Sequence, residues 1–175
     1  MPTAATTMYL RLACALQFLL CMAIALPASA TEPLHDQIVV DARQGTIHPE
    51  KCCWVELPFS ETLRKMKREE FLRCSAIGGP VGVFELKDRK IWLNKLSRCG
   101  GDVALREIYP DMDSPAFAGW LSGSFKTQLG YLCYVKPEGA VYELEQELKV
   151  EHGVVTSLSE RRRDRSACPP EPPLE

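Results

Sequence analysis

Six cysteines, Cys52, Cys53, Cys74, Cys99, Cys133 and Cys168, carry the plainest chemistry in this 175-residue chain, and that chemistry is oxidation to disulfides. Neighbouring side chains diverge, so Cys52 and Cys53 are expected to reach different distant partners rather than each other. At roughly 2–4 kcal/mol each, three bridges would match much of the net stability of a small domain. Their spacing contains no C-x-x-C, so a redox exchange role is not expected. His35, His48 and His152 are scattered without ligand spacing, and no metal or other cofactor is expected.

Oxidation needs an exporting context, which residues 1–30 supply. Arg11 precedes an apolar run over 12–26 interrupted by Gln17, and Pro27-Ala28-Ser29-Ala30 closes it with small residues. That order predicts a cleavable export signal. The run is shorter than the roughly 20 apolar residues of a membrane helix, so no span is expected after cleavage. Residues 31–168 then form a single globular domain, and 169–175, with Pro169, Pro170, Pro172 and Pro173, a flexible tail. The expected location is the bacterial periplasm or the exterior. A formal net charge of −2 gives no field for holding nucleic acid.

Two charged groups are candidates for partner binding. Glu143, Glu145 and Glu147 alternate with apolar Tyr142, Leu144, Leu148 and Val150, so a strand there places the three acids on its wet face. Arg161, Arg162 and Arg163 form a basic cluster near the chain's end, able to meet a partner or to neutralise the acidic stripe. Asp102, Asp111, Glu143 and Glu145 are the acids an enzyme reading would use. No G-x-S-x-G, H-E-x-x-H, S-x-x-K or phosphate-loop motif accompanies them.

The elements that must position these residues read as α+β. An apolar run at Ile38-Val39-Val40 opens a strand, and residues 41–50 read as a loop punctuated by Gly45 and Pro49. Ser60 is a natural N-cap for a helix over 61–74, with Leu63 and Met66 on its apolar face. Residues 81–86 and 90–96 predict a hairpin across Lys87-Asp88-Arg89. Asp113 reads as the cap of a second helix, with Pro115 in its first turn and Phe117, Trp120 and Leu121 as its apolar face. A three-stranded antiparallel meander over 129–136, 140–150 and 154–161 completes the chain.

The fold expected is therefore one or two amphipathic helices packed on an antiparallel sheet, stapled by disulfides. For function, the expectation is an exported binding protein, of inhibitor or immunity type, acting on an enzyme of the cell envelope. The alternatives are an enzyme using the acids above and a structural component of the envelope.

Overall fold

The computed structural model describes residues 34–51, 53–74, 79–137 and 139–170. The expected export signal, Cys52 and residues 171–175 lie outside them. Tight turns organise what is described. β1 (Gln37–Val40) reverses through Asp41 and Ala42 into β2 (Arg43–Pro49), β3 (Val81–Lys87) through Asp88 and Arg89 into β4 (Lys90–Arg98), and β8 (Gly139–Glu151) through His152 and Gly153 into β9 (Val154–Arg162). Both residues of each turn have positive φ, the geometry whose twist matches that of the flanking strands.

Helix α1 (Glu61–Cys74) begins where expected, with Ser60 Oγ accepting from Leu63 N at 3.4 Å. The short β5 (Gly101–Val103), helix α2 (Leu105–Ile108) and β6 (Ala116–Phe117) follow β4 and lead to the long β7 (Gly123–Val135). β7, β8 and β9 form the expected antiparallel meander.

The strands close on themselves. In space the order is β3, β1, β2, β7, β8, β9 and β4, and β4 returns to pair with β3. Every contact around this ring is antiparallel except β1 on β3, which is parallel. The seam between β4 and β9 is narrow: Lys90 pairs with Val154, Ile91 N donates to Gly153 O at 2.8 Å, and Val155 N to Arg89 O at 2.8 Å. Inward residues Ile38, Ile47, Phe84, Leu93, Leu129 and Leu148 are almost wholly buried and fill the barrel.

This architecture corrects the expected arrangement of layers. The described chain is mostly β, with two short helices that do not form a layer over a sheet face. A closed sheet buries its strands' inner faces against one another, which leaves little for helices to cover. α1 meets the barrel through buried Leu63, half-buried Met66 and Glu70, whose carboxylate accepts from Cys99 N at 2.9 Å.

Two local expectations also change. Residues 41–50 are not all loop, because 43–49 form β2, wedged between β1 and β7. Nor does Asp113 cap a helix: it pairs with Arg106, while Ala116 and Phe117 pair with Leu93 and Trp92 as β6. The neighbouring helix is α2, upstream at Leu105–Ile108.

Gly45 shows why β2 takes its place. A Cβ there would fall against the backbone carbonyl of Gln128 and 2.7 Å from Leu129 Cδ2, within the β2–β7 ladder itself. Backbone cannot yield as a flexible side chain does. Gly45→Val is expected to break this pairing and lose at least about 3 kcal/mol of stability, by the mechanism of core overpacking at its upper end. Urea unfolding checks it, and a loss below about 1 kcal/mol would contradict the close approach.

Candidate recognition slot at the open edge of the barrel

Because β9 touches β4 only near its own start, the remainder of β9 leaves the ring's edge open. Residues 157–162 pair with β8 on one side and, among the described residues, with no strand on the other. The opening is a hollow of about 400 Å³ whose walls are the two hairpin tips, Asp41-Ala42 and Asp88-Arg89, and the inward side of β9. Its apolar surface comes from Val40, Leu86, Val155 and Leu158. Leu158 lies opposite buried Leu148 in the ladder, yet is 43% exposed because nothing covers it on the slot side.

A polar chain runs from the barrel interior into this slot. Buried Thr127 Oγ1 donates to Gln146 Oε1 at 3.0 Å, and Gln146 Nε2 donates to Glu160 Oε1 at 2.8 Å. Arg162 then pairs with Glu160 at 3.1 Å. These donors, Gln146 first and Arg162 next, hold the Glu160 carboxyl below its ordinary range, so it faces the slot ionised. At the closed end, the Arg89 guanidinium donates to Val155 O at 2.9 Å and Thr156 O at 3.1 Å. The slot therefore offers an apolar floor, a charged rim in which Asp41, Glu85, Asp88 and Glu160 stand with Lys87 and Arg89, and a free strand edge, a combination suited to an extended chain.

Gln146 was missed by sequence reading, since a glutamine among glutamates looks like one more wet-face residue. Its parity with Leu144 and Leu148 is the signal that places it inside.

The residues singled out from sequence gather elsewhere. Glu143 pairs with Arg43 at 3.4 Å, Glu145 with Arg163 at 3.0 Å, and Glu147 with Lys126 at 3.5 Å. The acidic stripe on the outer face of β8 is thus met by basic residues of the same chain, and Arg163 brings the expected basic cluster onto it. Arg161 lies opposite Glu145 in the ladder and is exposed. Arg161, Arg162 and Arg163 also line a shallow surface hollow with Asp164, Ser166 and Ala167. The exposed pairs Arg43–Glu143 and Lys126–Glu147 contribute at most about 1 kcal/mol each.

Of the other acids, Asp102 pairs with Lys95, and that hydrogen bond holds its carboxyl below the usual range. Asp111 lies beside Phe59 and Tyr109. No hollow described here is lined by two of Asp102, Asp111, Glu143 and Glu145. Among the described residues, no cluster of three or more histidine, cysteine or acidic side chains is placed to hold a metal ion.

Of the cysteines, Cys133 and Cys168 form a disulfide that ties the end of β7 to the segment after β9. Cys53 and Cys99 are disulfide-bonded as well. No described helix is long and apolar enough to cross a membrane. Comparison with known proteins matches the chain to no protein family, no curated protein and no solved structure.

Proposed function

We propose that this chain is an exported, disulfide-stapled binding protein that takes an extended segment of a protein partner along the open edge of β9. The observation that carries this reading is the unpaired run at 157–162 beside the slot. Main-chain hydrogen bonds to β9 would supply affinity, and the floor around Leu158 would select an apolar side chain. A rigid barrel loses little entropy on binding, which suits an inhibitor or immunity protein directed at an enzyme of the periplasm or cell exterior. The acids an enzyme would need are scattered or ion-paired, so the binding reading is the one the geometry favours.

The test is affinity capture from envelope extract with oxidised residues 31–175, followed by assay of the retained enzyme with purified chain added. Wild type should retain and inhibit one enzyme. Leu158→Asp, which puts a charge on the slot floor, should weaken that binding at least about tenfold, equivalent to about 1.4 kcal/mol. Glu147→Lys, on the outer face, should leave it unchanged. Equal retention by wild type and Leu158→Asp, or retention without inhibition, would overturn the reading.

A further inference from the structure

The outward side of the β3–β4 hairpin carries a second feature, which shares Glu85, Lys87 and Asp88 with the rim of the slot. β4 alternates buried Ile91 and Leu93 with outward Trp92, and Trp92 pairs across the sheet with Glu85 on one side and Phe117 on the other. The Trp92 and Phe117 rings lie 5.5 Å apart at 59°, so each holds the other's orientation. Around Trp92 opens a hollow of about 290 Å³ bounded by Glu85, Lys87, Asp88, Lys90 and Pro115. Asn94 Nδ2 donates to Glu85 Oε2 at 3.3 Å, fixing the carboxylate beside the indole.

The chemistry of this wall is unusual for a mere cover over the core. One aromatic residue shares the hollow with two acidic residues and two lysines, all on paired strands or their tight turn. A cationic ligand would gain from the indole and acids but meet Lys87 and Lys90, whereas an anionic one would meet Glu85 and Asp88. A neutral ligand with an apolar face and a rim of hydroxyls suits both parts: the face stacks on Trp92, and the rim alternately donates to the carboxylates and accepts from the lysines. We infer that the Trp92 platform on the outer face of the β3–β4 hairpin binds a neutral saccharide chain.

The experiment is NMR titration of the oxidised, isotope-labelled chain with three probes: a β-1,4-linked N-acetylglucosamine tetrasaccharide, maltotetraose and trilysine. A saccharide should shift the Trp92 indole N–H and the backbone amides of residues 85–94, and the two sugars distinguish an amino-sugar polymer from a glucan. Glu85→Ala should weaken that binding at least tenfold, and Trp92→Leu should abolish it while the shifts of β7 and β8 amides report an intact barrel. Lys126→Ala should bind as wild type does. Shifts with neither sugar, shifts from trilysine alone, or saccharide shifts unaltered in Glu85→Ala would overturn the inference.

Discussion

Asp36→Ala is expected to cost about 2–5 kcal/mol, a large share of the stability of a domain this size. The Asp36 side chain is almost fully buried and holds two separate parts of the chain at once: Oδ2 accepts from Val55 N at 2.6 Å, and Oδ1 from Gly82 N at 2.7 Å. Its own backbone carbonyl accepts from Ile47 N at 3.0 Å. One residue thus joins β2, β3 and the segment before α1. Alanine would leave two backbone donors without acceptors, at about 1–3 kcal/mol each. Asp36→Asn keeps one acceptor oxygen but turns an amide donor toward the other N–H, so its loss should fall between wild type and alanine.

The same residue sets a pH dependence. Burial is the dominant influence and pushes the Asp36 carboxyl from 3.8 to about 6, against the opposing pull of the Val55 and Gly82 hydrogen bonds. The folded state therefore binds this proton more tightly than the unfolded chain. Its contribution to stability is fully present below pH 3.8, declines as pH rises toward 6, and is constant above that, a change of roughly 3 kcal/mol.

His48 works in the opposite sense. Burial, then the charge of His35, lowers its imidazole from 6.5, so the folded state favours the neutral ring, and stability falls as pH drops from 6.5 through the lower folded value. The His35 and His48 rings lie 5.2 Å apart. Urea unfolding of wild type and Asp36→Asn between pH 3.5 and 7.5 isolates the Asp36 contribution as the difference between the two profiles, because the variant keeps the slopes of His48 and of the lowered carboxyls Glu160, Asp102 and Asp164. Identical profiles for both proteins would refute the assignment to Asp36.

The second large effect concerns the bridge Cys133–Cys168, which closes a loop of sequence separation 35. Loop-closure entropy for that length gives about 4 kcal/mol, and the double variant Cys133→Ser, Cys168→Ser is expected to lose up to that amount. The loss should be concentrated where the bridge acts. β9 has one ladder partner over most of its length, and beyond it Arg163 N donates to Glu143 O at 2.9 Å, the Arg163 guanidinium pairs with Glu145 at 3.0 Å, and a single 3-10 turn at Arg165–Ala167 continues the structure. Without the bridge, this end should fray first, so amide exchange in 157–163 should accelerate more than in β7. A stability change below about 1 kcal/mol would show that the bridge merely joins segments already fixed by their neighbours.

Much of the local structure was legible because it is locally determined. Ser60 caps α1, and the alternation along β8 reads directly as an inner and an outer face. The turn at His152-Gly153 falls between the strand ranges 140–150 and 154–161 expected from the alternation, with Gly153 at positive φ. β2 was invisible because its turn uses Ala42 at positive φ, a conformation alanine seldom adopts, and because Gly45 and Pro49 mimic loop punctuation while serving a close strand approach and a strand end. The helix expected after Asp113 failed for a tertiary reason: Phe117 finds Trp92 across the sheet, which outweighs a capping pattern. The slot was beyond sequence altogether, since it follows from which strands meet at the seam. The partial neutralisation of the acidic stripe by Arg163, by contrast, was one of two outcomes already open from the charge pattern.

The parallel contact of β1 with β3 and the pairing of β2 with β7 set the order in which the chain can fold. The meander of β7, β8 and β9 joins neighbours through short turns, whereas Gly45 must wait for Leu129, far along the chain. Contacts between distant segments slow the search, since the loop between them must be ordered before any bond rewards it. As the chain emerges from its N-terminus, the β1–β2 hairpin is therefore made early and seated late. Until β7 arrives it presents an unsatisfied strand edge, the interval in which this protein is most exposed to mispairing and to a chaperone's grip.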